Sequence, residues 1–438
     1  MTPTTTAKRL TRWALLHGTV RVAVGRARRA GDLQAQFMTE PRYRDDPFPF
    51  YEQVRARGPL VPGRFAHVTA DHAVCSALLT SPDFRAGPDE DALPAPVRRA
   101  ITWSRDPLAL GPIDPPSMLA VEPPDHTRYR RTVSKVFTAR AVEQLRARAQ
   151  TIADDLLDHL QDLPRFDLVS AYCTQLPVAV ICSVLGVRPQ DHDTVLDFGH
   201  KGAPGLDVGL AYRDYRAVDD AARGFQVWLG EHLARLAREP GEDLLSQLVH
   251  AEDDGVRLTP AELKATAGLV LAAGFETTVN LLASGTVLLL QHPDRLAALH
   301  ADPSSWPAAV DETLRLEGPV QLTGRFALRD TELAGQQLRG GSLVLAYLGG
   351  ANRDPRVFDD PARFDLTRSN VRDHLSFSAG RHFCLGAALA RLEGEVGLRT
   401  LFERFPDLAL DGPGRRSRTR VLRGWESLPV RTREPEPV

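Results

Sequence analysis

The chain has 438 residues, of which 43% are hydrophobic and 25% charged, and its formal net charge is -2. This composition is typical of a soluble globular protein with a large core, and it excludes collagen-like, disordered and disulfide-scaffold classes. At about 150 residues per domain, the length allows nearly three domains. The low net charge argues against a general binder of nucleic acid.

Residues 1–31 contain seven basic residues and no acidic ones, which leaves a charge of -9 on residues 32–438. A basic amphipathic helix is predicted by apolar residues at helical spacing: Trp13, Leu16, Val20, Ala23 and Ala27. The apolar run is too short for a membrane span and lacks the continuous apolar region of a secretory signal. The helix contacts either anionic lipid or the protein's own acidic surface, and we favour the second interpretation. We therefore treat residues 1–31 as an extension of one domain over residues 32–438.

Helical patterns dominate the rest of the chain, at roughly 48–57, 71–80, 125–133, 138–161, 169–186, 190–200, 211–237, 259–290, 305–316 and 387–404. Alternation and glycines predict short strands and turns at 325–347 and 406–432. The Pro-rich segment 84–124 has a weak pattern and is expected to be a long loop. Mostly helix with a small strand-rich portion and no long linker predicts a single, mainly α domain with minor β, of the α+β class.

Two of the predicted helices place polar residues on one face. In the first, Asp125 is a good N-cap, and His126 and Arg130 project from the same side because they are four residues apart. In the second, Glu312 and Arg315 are three residues apart and can pair. Most such pairs are exposed and contribute little to stability.

The long apolar helix at 259–290 contains an acid followed by an alcohol, Glu276 and Thr277. The Thr277 hydroxyl can bond the Ala273 carbonyl one turn earlier and loosen the helix there. Glu276 and Thr277 together can pass protons through water. Alone, Thr277 would be an ordinary β-branched residue of a helix, but the acid directly before it weakens that interpretation.

Four cysteines occur, with neither a CxxC pair nor a zinc-type spacing: Cys75, Cys173, Cys182 and Cys384. Such sparse thiols suit a reducing compartment, and we expect a cytoplasmic protein. The first three lie among apolar helical residues, which predicts buried, inert thiols. Cys384 instead lies in a glycine-containing loop directly before the helix at 387–404, where free N–H groups lower a thiol pKa. Such a thiolate can be a nucleophile or a metal ligand, and the spacing alone does not decide between them.

The pattern Phe377-x-x-Gly380-x-His382-x-Cys384-x-Gly386 resembles the haem-binding motif of the cytochrome P-450 superfamily, the haem-thiolate monooxygenases. Four further segments match in the correct order, so the resemblance covers nearly the whole chain and is strongest to soluble bacterial, actinobacterial-type members. It implies the cytochrome P-450 fold, with a long central oxygen-activating helix, and heme b (iron protoporphyrin IX) as cofactor.

The resemblance also implies residue roles. Cys384 is the implied iron ligand, within a loop shaped by Phe377, Gly380 and Gly386. The implied contacts to the haem propionates are His126, Arg130, Arg325, His374 and His382. On the oxygen-activating helix, Gly274 leaves room for dioxygen, while Ala273, Glu276 and Thr277 serve proton delivery. A buried structural network is implied for Glu312, Arg315 and Arg363.

Two positions depart from the family's usual residues. Ser378 stands where Gly is most common, which predicts a small change in loop packing near the sulfur. Ala362 stands where an acid is usual, at a position expected to tolerate solvent.

The implied activity inserts one oxygen atom of dioxygen into an apolar small molecule, by hydroxylation or epoxidation, in secondary metabolism. No nucleotide-binding glycine motif occurs, so electrons are expected from a separate ferredoxin and its reductase. The implied docking face carries Arg130, Arg131, Arg381 and Arg391. Alternatives are a thiol enzyme with Cys384 as nucleophile and His382 or His374 as base, a peroxide-driven haem-thiolate oxidase, and a non-catalytic haem-thiolate sensor.

Overall fold

The structure is a computed structural model, and it describes residues 3–91, 93–111, 114–253 and 255–432. Its helices are α1 Pro3–Trp13, α2 Thr19–Arg29, α3 Leu33–Thr39, α4 Pro41–Asp45, α5 Phe48–Ala56, α6 His72–Thr80, α7 Ala95–Ser104, α8 Asp125–Val136, α9 Ala139–Gln144, α10 Arg146–Asp158, α11 Gln175–Val184, α12 His192–Gly202, α13 Tyr212–Arg238, α14 Leu244–His250, α15 Pro260–Gln291, α16 Pro293–Ala301, α17 Trp306–Glu317, α18 Leu348–Ala351 and α19 Ala387–Arg404.

The strands are β1 His67–Thr69, β2 Phe84–Arg85, β3 Arg165–Asp167, β4 Glu252–Asp253, β5 Val256–Arg257, β6 Leu322–Ala327, β7 Thr331–Leu333, β8 Gln336–Leu338, β9 Leu343–Tyr347, β10 Ala409–Leu410, β11 Arg415–Arg416, β12 Trp425–Ser427 and β13 Pro429–Arg431. The largest sheet has the order β1-β9-β6-β2, in which β1 pairs parallel to β9 and the other pairs are antiparallel. A second sheet has the order β10-β13-β3, and three two-stranded pairs complete the strands.

Helix α15 lies at the centre of the helical core, where it packs against α11, α17 and α19. It begins with a capping box, in which Thr259 and Glu262 bond each other's backbone N–H, and with Pro260 in the first turn. By length and composition alone α15 could cross a membrane, but most of its apolar stretch is buried inside the protein. We therefore interpret it as the core helix of a globular fold.

The predicted helices are all present, although the one at 138–161 is divided into α9 and α10. The short strands expected at 325–347 and 406–432 are also present. The prediction of a loop over 84–124 is wrong, because this segment contains β2 and α7. Helix α7 was missed for two reasons. Its sequence contains two consecutive arginines, and Pro94 directly precedes it while Pro96 lies in its first turn.

The N-terminal helix is docked on the protein itself, as the favoured interpretation predicted. Its buried stripe differs from the predicted one: His17 and Val24 are buried, whereas Leu16 is 54% exposed. The cause is a π-helical turn, Ala14–Gly18, between α1 and α2, which shifts the register of the later residues. The exposed large apolar residues in the described part of this helix are Leu10, Leu16 and Val22. Because they are spaced six apart, they form no continuous stripe for a lipid surface.

Candidate active site

The loop Phe377–Gly386 holds Cys384 directly before α19. The Cys384 N–H donates to the Phe377 carbonyl at 2.9 Å, which closes the loop. Cys384 is exposed to a space inside the fold, whereas Cys75, Cys173 and Cys182 are buried, as predicted. Gly380 has a φ of +67°, and a Cβ there would lie 2.6 Å from the Leu79 carbonyl oxygen. This close approach requires glycine.

The charge state of Cys384 differs from the expectation. Burial raises the pKa of the Cys384 thiol, whereas the Gly386 N–H and the positive charges of Arg130 and Arg391 act in the opposite direction. The N–H groups at the start of α19 therefore do not make the free thiol acidic by themselves, because desolvation outweighs them. Coordination to a metal ion deprotonates such a thiol directly.

Ser378 has a left-handed backbone, with φ at 62°. That conformation costs a residue with a Cβ roughly 1–2 kcal/mol, which explains why glycine is the usual residue here. The Ser378 hydroxyl is buried and has no hydrogen-bond partner among the described residues.

A cluster of basic side chains lies beside this loop. The rings of His126 and His382 are 4.5 Å apart, and the buried Nε2 of His382 has no hydrogen-bond partner within the described chain. Arg325 is buried on β6, and among the described residues it donates only to Thr323 and the Gly324 carbonyl. Neither Arg325 nor Arg130 forms an ion pair with a carboxylate of the described residues.

All four groups of this cluster have lowered pKa values. Burial, followed by the charge of Arg325, lowers the pKa of His382 to about 3. Burial is also the largest cause for His126, Arg130 and Arg325. Both imidazoles are therefore neutral donors, and the two arginines lack an adjacent anion. Such a cluster is suited to binding carboxylates.

His374 does not belong to this cluster. Its Nε2 lies 3.5 Å from Asp311 Oδ1, and its Nδ1 accepts the Ser376 N–H at 3.3 Å. Both ring nitrogens thus face protein groups, and the implied propionate contact of His374 stays a prediction. The Asp311 carboxylate also accepts from Arg391 Nε at 2.6 Å, and the Arg391 guanidinium lies over the Phe377 ring.

The buried structural network is present, but one of its arginines differs from the implied one. Arg315 donates twice to Glu312, each time at 2.7 Å, and both side chains are fully buried. The third charged partner is Arg368, whose Nε lies 3.3 Å from Glu312 Oε1. Arg363 is exposed and offers only its backbone carbonyl to Arg315. The correction follows from geometry, because the turn after Phe364 brings Arg368, not Arg363, back to Glu312.

On α15 the acid and the alcohol have distinct environments. The Thr277 hydroxyl donates to the Ala273 carbonyl at 3.0 Å, yet the helix continues without a break, so the expected loosening is not observed. Ala273 is exposed on this otherwise buried helix, which shows that its face borders an internal space. Glu276 Oε2 is buried without a partner among the described residues, and burial raises the pKa of Glu276 to about 7.

The expectation for Gly274 is not supported. A Cβ on Gly274 would lie 2.9 Å from the side chain of Ile181 on α11. The missing side chain therefore lets α11 and α15 pack closely, and it leaves no space for dioxygen.

The comparisons with known proteins agree with this geometry. A match to the family described as Cytochrome P450 covers residues 306–413. Cytochrome P450 140 of Mycobacterium tuberculosis is 51% identical over 95% of this chain and 96% of its own. The chain belongs to the cytochrome P450 family.

Two other relatives are informative about this P450. The 6-deoxyerythronolide B hydroxylase of Saccharopolyspora erythraea is 45% identical over 71% of this chain and 76% of its own. The solved structure of P450BioI, in complex with acyl carrier protein ligated to hexadec-9Z-enoic acid, has a TM-score of 0.82 and 31% identity, covering 90% of this chain and 100% of that one. The fold is thus a P450 fold and the protein a P450 monooxygenase, for which the family implies a haem cofactor.

The residues present fit such a group. The Cys384 sulfur is accessible, and nothing lies within 4 Å of the position of a Cβ on Gly386, which leaves room for a flat ligand. The donors of Arg130, Arg325, His126 and His382 that bond no carboxylate of the described residues match the chemistry of two propionates.

Some residues of this site could not be found from the sequence. Asp311 binds Arg391 and His374 but sits in a helix where an acid is unremarkable. Arg368 lies in a turn without a periodic pattern. Their roles depend on contacts across the fold, for which one sequence carries no signal.

Proposed function

We propose that this monooxygenase hydroxylates or epoxidises an apolar small molecule, with Cys384 as the iron ligand and Glu276 and Thr277 as the route for protons. The single observation that carries the proposal is Glu276, an unpaired buried carboxyl with a pKa raised to about 7, beside Thr277 on the accessible face of α15. A carboxyl of this pKa both holds and releases a proton near neutral pH, as a proton relay requires.

The donor cluster has the role of holding the cofactor. Arg130, Arg325, His126 and His382 bind the propionates, and Phe377 and Gly380 maintain the loop that carries Cys384. The haem, a b-type group in this proposal, supplies the reduction of dioxygen and the oxidation of the substrate when it is bound. His374 acts through Asp311, which also holds Arg391 near Cys384.

Proton transfer begins at the Glu276 carboxyl, which reaches the Thr277 hydroxyl through water. The hydroxyl is oriented because it donates to the Ala273 carbonyl, and its lone pairs remain free to accept a proton-carrying water. Gly274 is assigned to helix packing and has no part in this step.

The substrate chamber is apolar near Cys384. Met118 and Leu269 pack together with Leu385, the residue directly after Cys384. Such a lining favours a medium or large apolar substrate. A compound similar to 6-deoxyerythronolide B and a long acyl chain are both compatible, since these are the molecules named for the two relatives above. A role in secondary metabolism is part of this proposal.

Electrons come from a ferredoxin and its reductase in this proposal, in the cytoplasm. The docking face contains less free positive charge than the sequence suggests. Arg381 pairs with Glu122 at 2.8 Å, and Arg391 and Arg372 both bind Asp311, at 2.6 and 3.2 Å. Arg131 and Arg372 are exposed, so their side chains can reach an acidic ferredoxin docked on this face.

The alternatives make different demands on the site. A thiol enzyme needs an imidazole beside Cys384, but His374 is engaged by Asp311 and Ser376, and His382 lies against His126. A sensor needs no proton route. A peroxide-driven oxidase turns over with hydrogen peroxide alone and does not depend on Glu276 or Thr277.

The test is a pair of variants of adjacent threonines. Thr277→Ala removes the hydroxyl that borders the chamber, whereas Thr278→Ala removes a buried one that bonds the Gly274 carbonyl at 3.4 Å. With ferredoxin, reductase and a substrate found by its shift of the iron spin state, we expect Thr277→Ala to lower the product formed per dioxygen consumed by about tenfold. The Thr278→Ala control should remain coupled. Tight coupling in Thr277→Ala, or equal turnover with peroxide alone, would reject the proton route.

A further inference from the structure

The N-terminal helix is tied to α13 by buried ion pairs. The Asp219 side chain is 1% exposed and binds Arg9 Nε at 2.7 Å and Arg12 at 2.5 Å. Arg223 of α13 binds the same carboxylate at 2.9 Å. Arg9 is itself 3% exposed, and it also pairs with Asp220. Two of the three arginines on Asp219 thus come from outside α13.

Arg12 joins α13 to the end of α7. Its guanidinium donates to the Ser104 carbonyl at 2.7 Å and to the Tyr215 hydroxyl at 3.2 Å. It also lies 4.0 Å from Asp106, which Arg223 binds at 2.7 Å. A single side chain of the N-terminal helix therefore connects two segments that are far apart in the chain.

The loop that leads into α13 is held by the same helix. The Trp13 indole N–H donates to the Leu210 carbonyl at 3.0 Å, and the Leu210 N–H donates to His17 Nδ1 at 3.2 Å. Arg21 donates to the Gly209 carbonyl at 2.9 Å. Both backbone groups of Leu210 are thus satisfied by side chains of the N-terminal helix.

The segment after α7 reaches the face of α15 that carries Glu276, because Met118 packs with Leu269, and residues seven apart, such as Leu269 and Glu276, lie on the same side of a helix. Helix α13 packs on an adjoining side of α15, where Phe225 and Leu229 lie 3.4 and 3.3 Å from the position of a Cβ on Gly268. Gln226 of α13 donates to the Leu110 carbonyl at 3.1 Å, which joins α13 to the segment after α7. On α12, Gly199 meets the ring of Phe275, the residue before Glu276. We call residues 104–110 and 207–219 the cover.

We propose that Arg9 and Arg12 are positioning residues for substrate entry, because by binding Asp219 they hold the cover closed over the face of α15 that carries Glu276 and Thr277. The proposal rests on the proposed function, which places the reacting substrate beside Thr277. Arg9, Arg12 and Arg223 face three carboxylates, Asp106, Asp219 and Asp220, so the closed cluster has no net charge. Loss of the two N-terminal cations leaves buried Asp219 with Arg223 as its one remaining cation among the described residues, which favours opening.

The first test measures opening without using activity. Haem-loaded, full-length Arg9→Gln/Arg12→Gln is compared with Arg26→Gln, an exposed arginine of the same helix. We expect backbone hydrogen exchange in the cover to be about tenfold faster in the double variant, with α17 unchanged and the control like the wild type. Unchanged exchange in the cover would overturn the proposal, as would an equal acceleration in α17, which would indicate general destabilisation.

The second test measures entry with two iron ligands of different size. Stopped-flow mixing with econazole, a bulky azole, and with imidazole gives the two association rates from the Soret shift. We expect the double variant to bind econazole about fivefold faster and imidazole less than twofold faster, because only the larger ligand needs an open cover. Equal changes for the two ligands would contradict the proposal.

If the double variant does not fold, a milder variant provides the test. Arg12→Lys keeps the charge but loses the fork that reaches Ser104 and Asp219 together. It should accelerate exchange in the cover by a smaller factor, and no change there would overturn the proposal. If the proposed function fails instead, because no haem is bound, the azoles produce no Soret shift while hydrogen exchange still reports on the cover.

Discussion

Burial without a partner raises the pKa of Glu276 to about 7, well above the usual value of a glutamate. The motif identified the residue, but only the fold shows why it titrates near neutrality, since no described donor or cation contacts its inner oxygen. For Cys384 the position was predicted correctly but the pKa was not. The motif placed it correctly before α19, while its expected acidity is outweighed by desolvation that depends on surrounding elements.

Replacing Glu276 with glutamine tests this pKa through stability. The carboxyl has a raised pKa in the folded protein, so the unfolded state ionises first as the pH rises. The folded state is therefore penalised progressively from about pH 4.5 to 7, and fully above that range. We expect Glu276→Gln to increase the free energy of unfolding by about 3 kcal/mol at pH 8 and to have little effect at pH 4.

Denaturant unfolding at the two pH values provides the measurement. Glu231→Gln, at an exposed glutamate of α13, is the matched control and should show no pH-dependent gain. If the difference in the free energy of unfolding between Glu276→Gln and wild type were the same at both pH values, the carboxyl would not be desolvated.

At the scale of elements, periodicity located α13 because it buries one side, whereas α15 was located by its long apolar stretch, which is buried on nearly all sides. It failed where register or length departs from the simple pattern. The π-helical turn Ala14–Gly18 moves the buried stripe of the N-terminal helix, and α7 is an arginine-rich helix in a segment that resembles a loop. The Glu312–Arg315 pair was predicted from one helix, whereas its third partner, Arg368, comes from a turn that only tertiary structure brings close.

The assignment of Arg368 predicts different effects for two nearby arginines. Arg368→Met removes a charged donor from buried Glu312 and should lower the free energy of unfolding by about 2 kcal/mol. Arg363→Met removes an exposed side chain and should change it by less than about 0.5 kcal/mol. Denaturant midpoints of both variants provide the comparison. A larger loss of unfolding free energy for Arg363→Met than for Arg368→Met would contradict this assignment and favour Arg363, the arginine implied by the family resemblance.

At the scale of the whole molecule, chain length alone suggested several domains, while the motifs required one. In the proposed function, residues from His126 to Gly386 surround a single haem, and His126 of α8 lies beside His382 of the Cys384 loop, with ring centroids 4.5 Å apart. The order of motifs could therefore predict the P450 fold. The N-terminal helix could not be placed in the same way, because its docking site on Asp219 and Leu210 lies about 200 residues away in sequence.

The central claim is that Cys384 is the ligand of a haem iron, and the most direct measurement is the spectrum of the reduced, haem-loaded protein with carbon monoxide. We predict the red-shifted Soret band of a haem thiolate, and its loss in Cys384→Ser. An unshifted band in haem-loaded wild-type protein would contradict the account, because it would show that the iron is held by a different ligand.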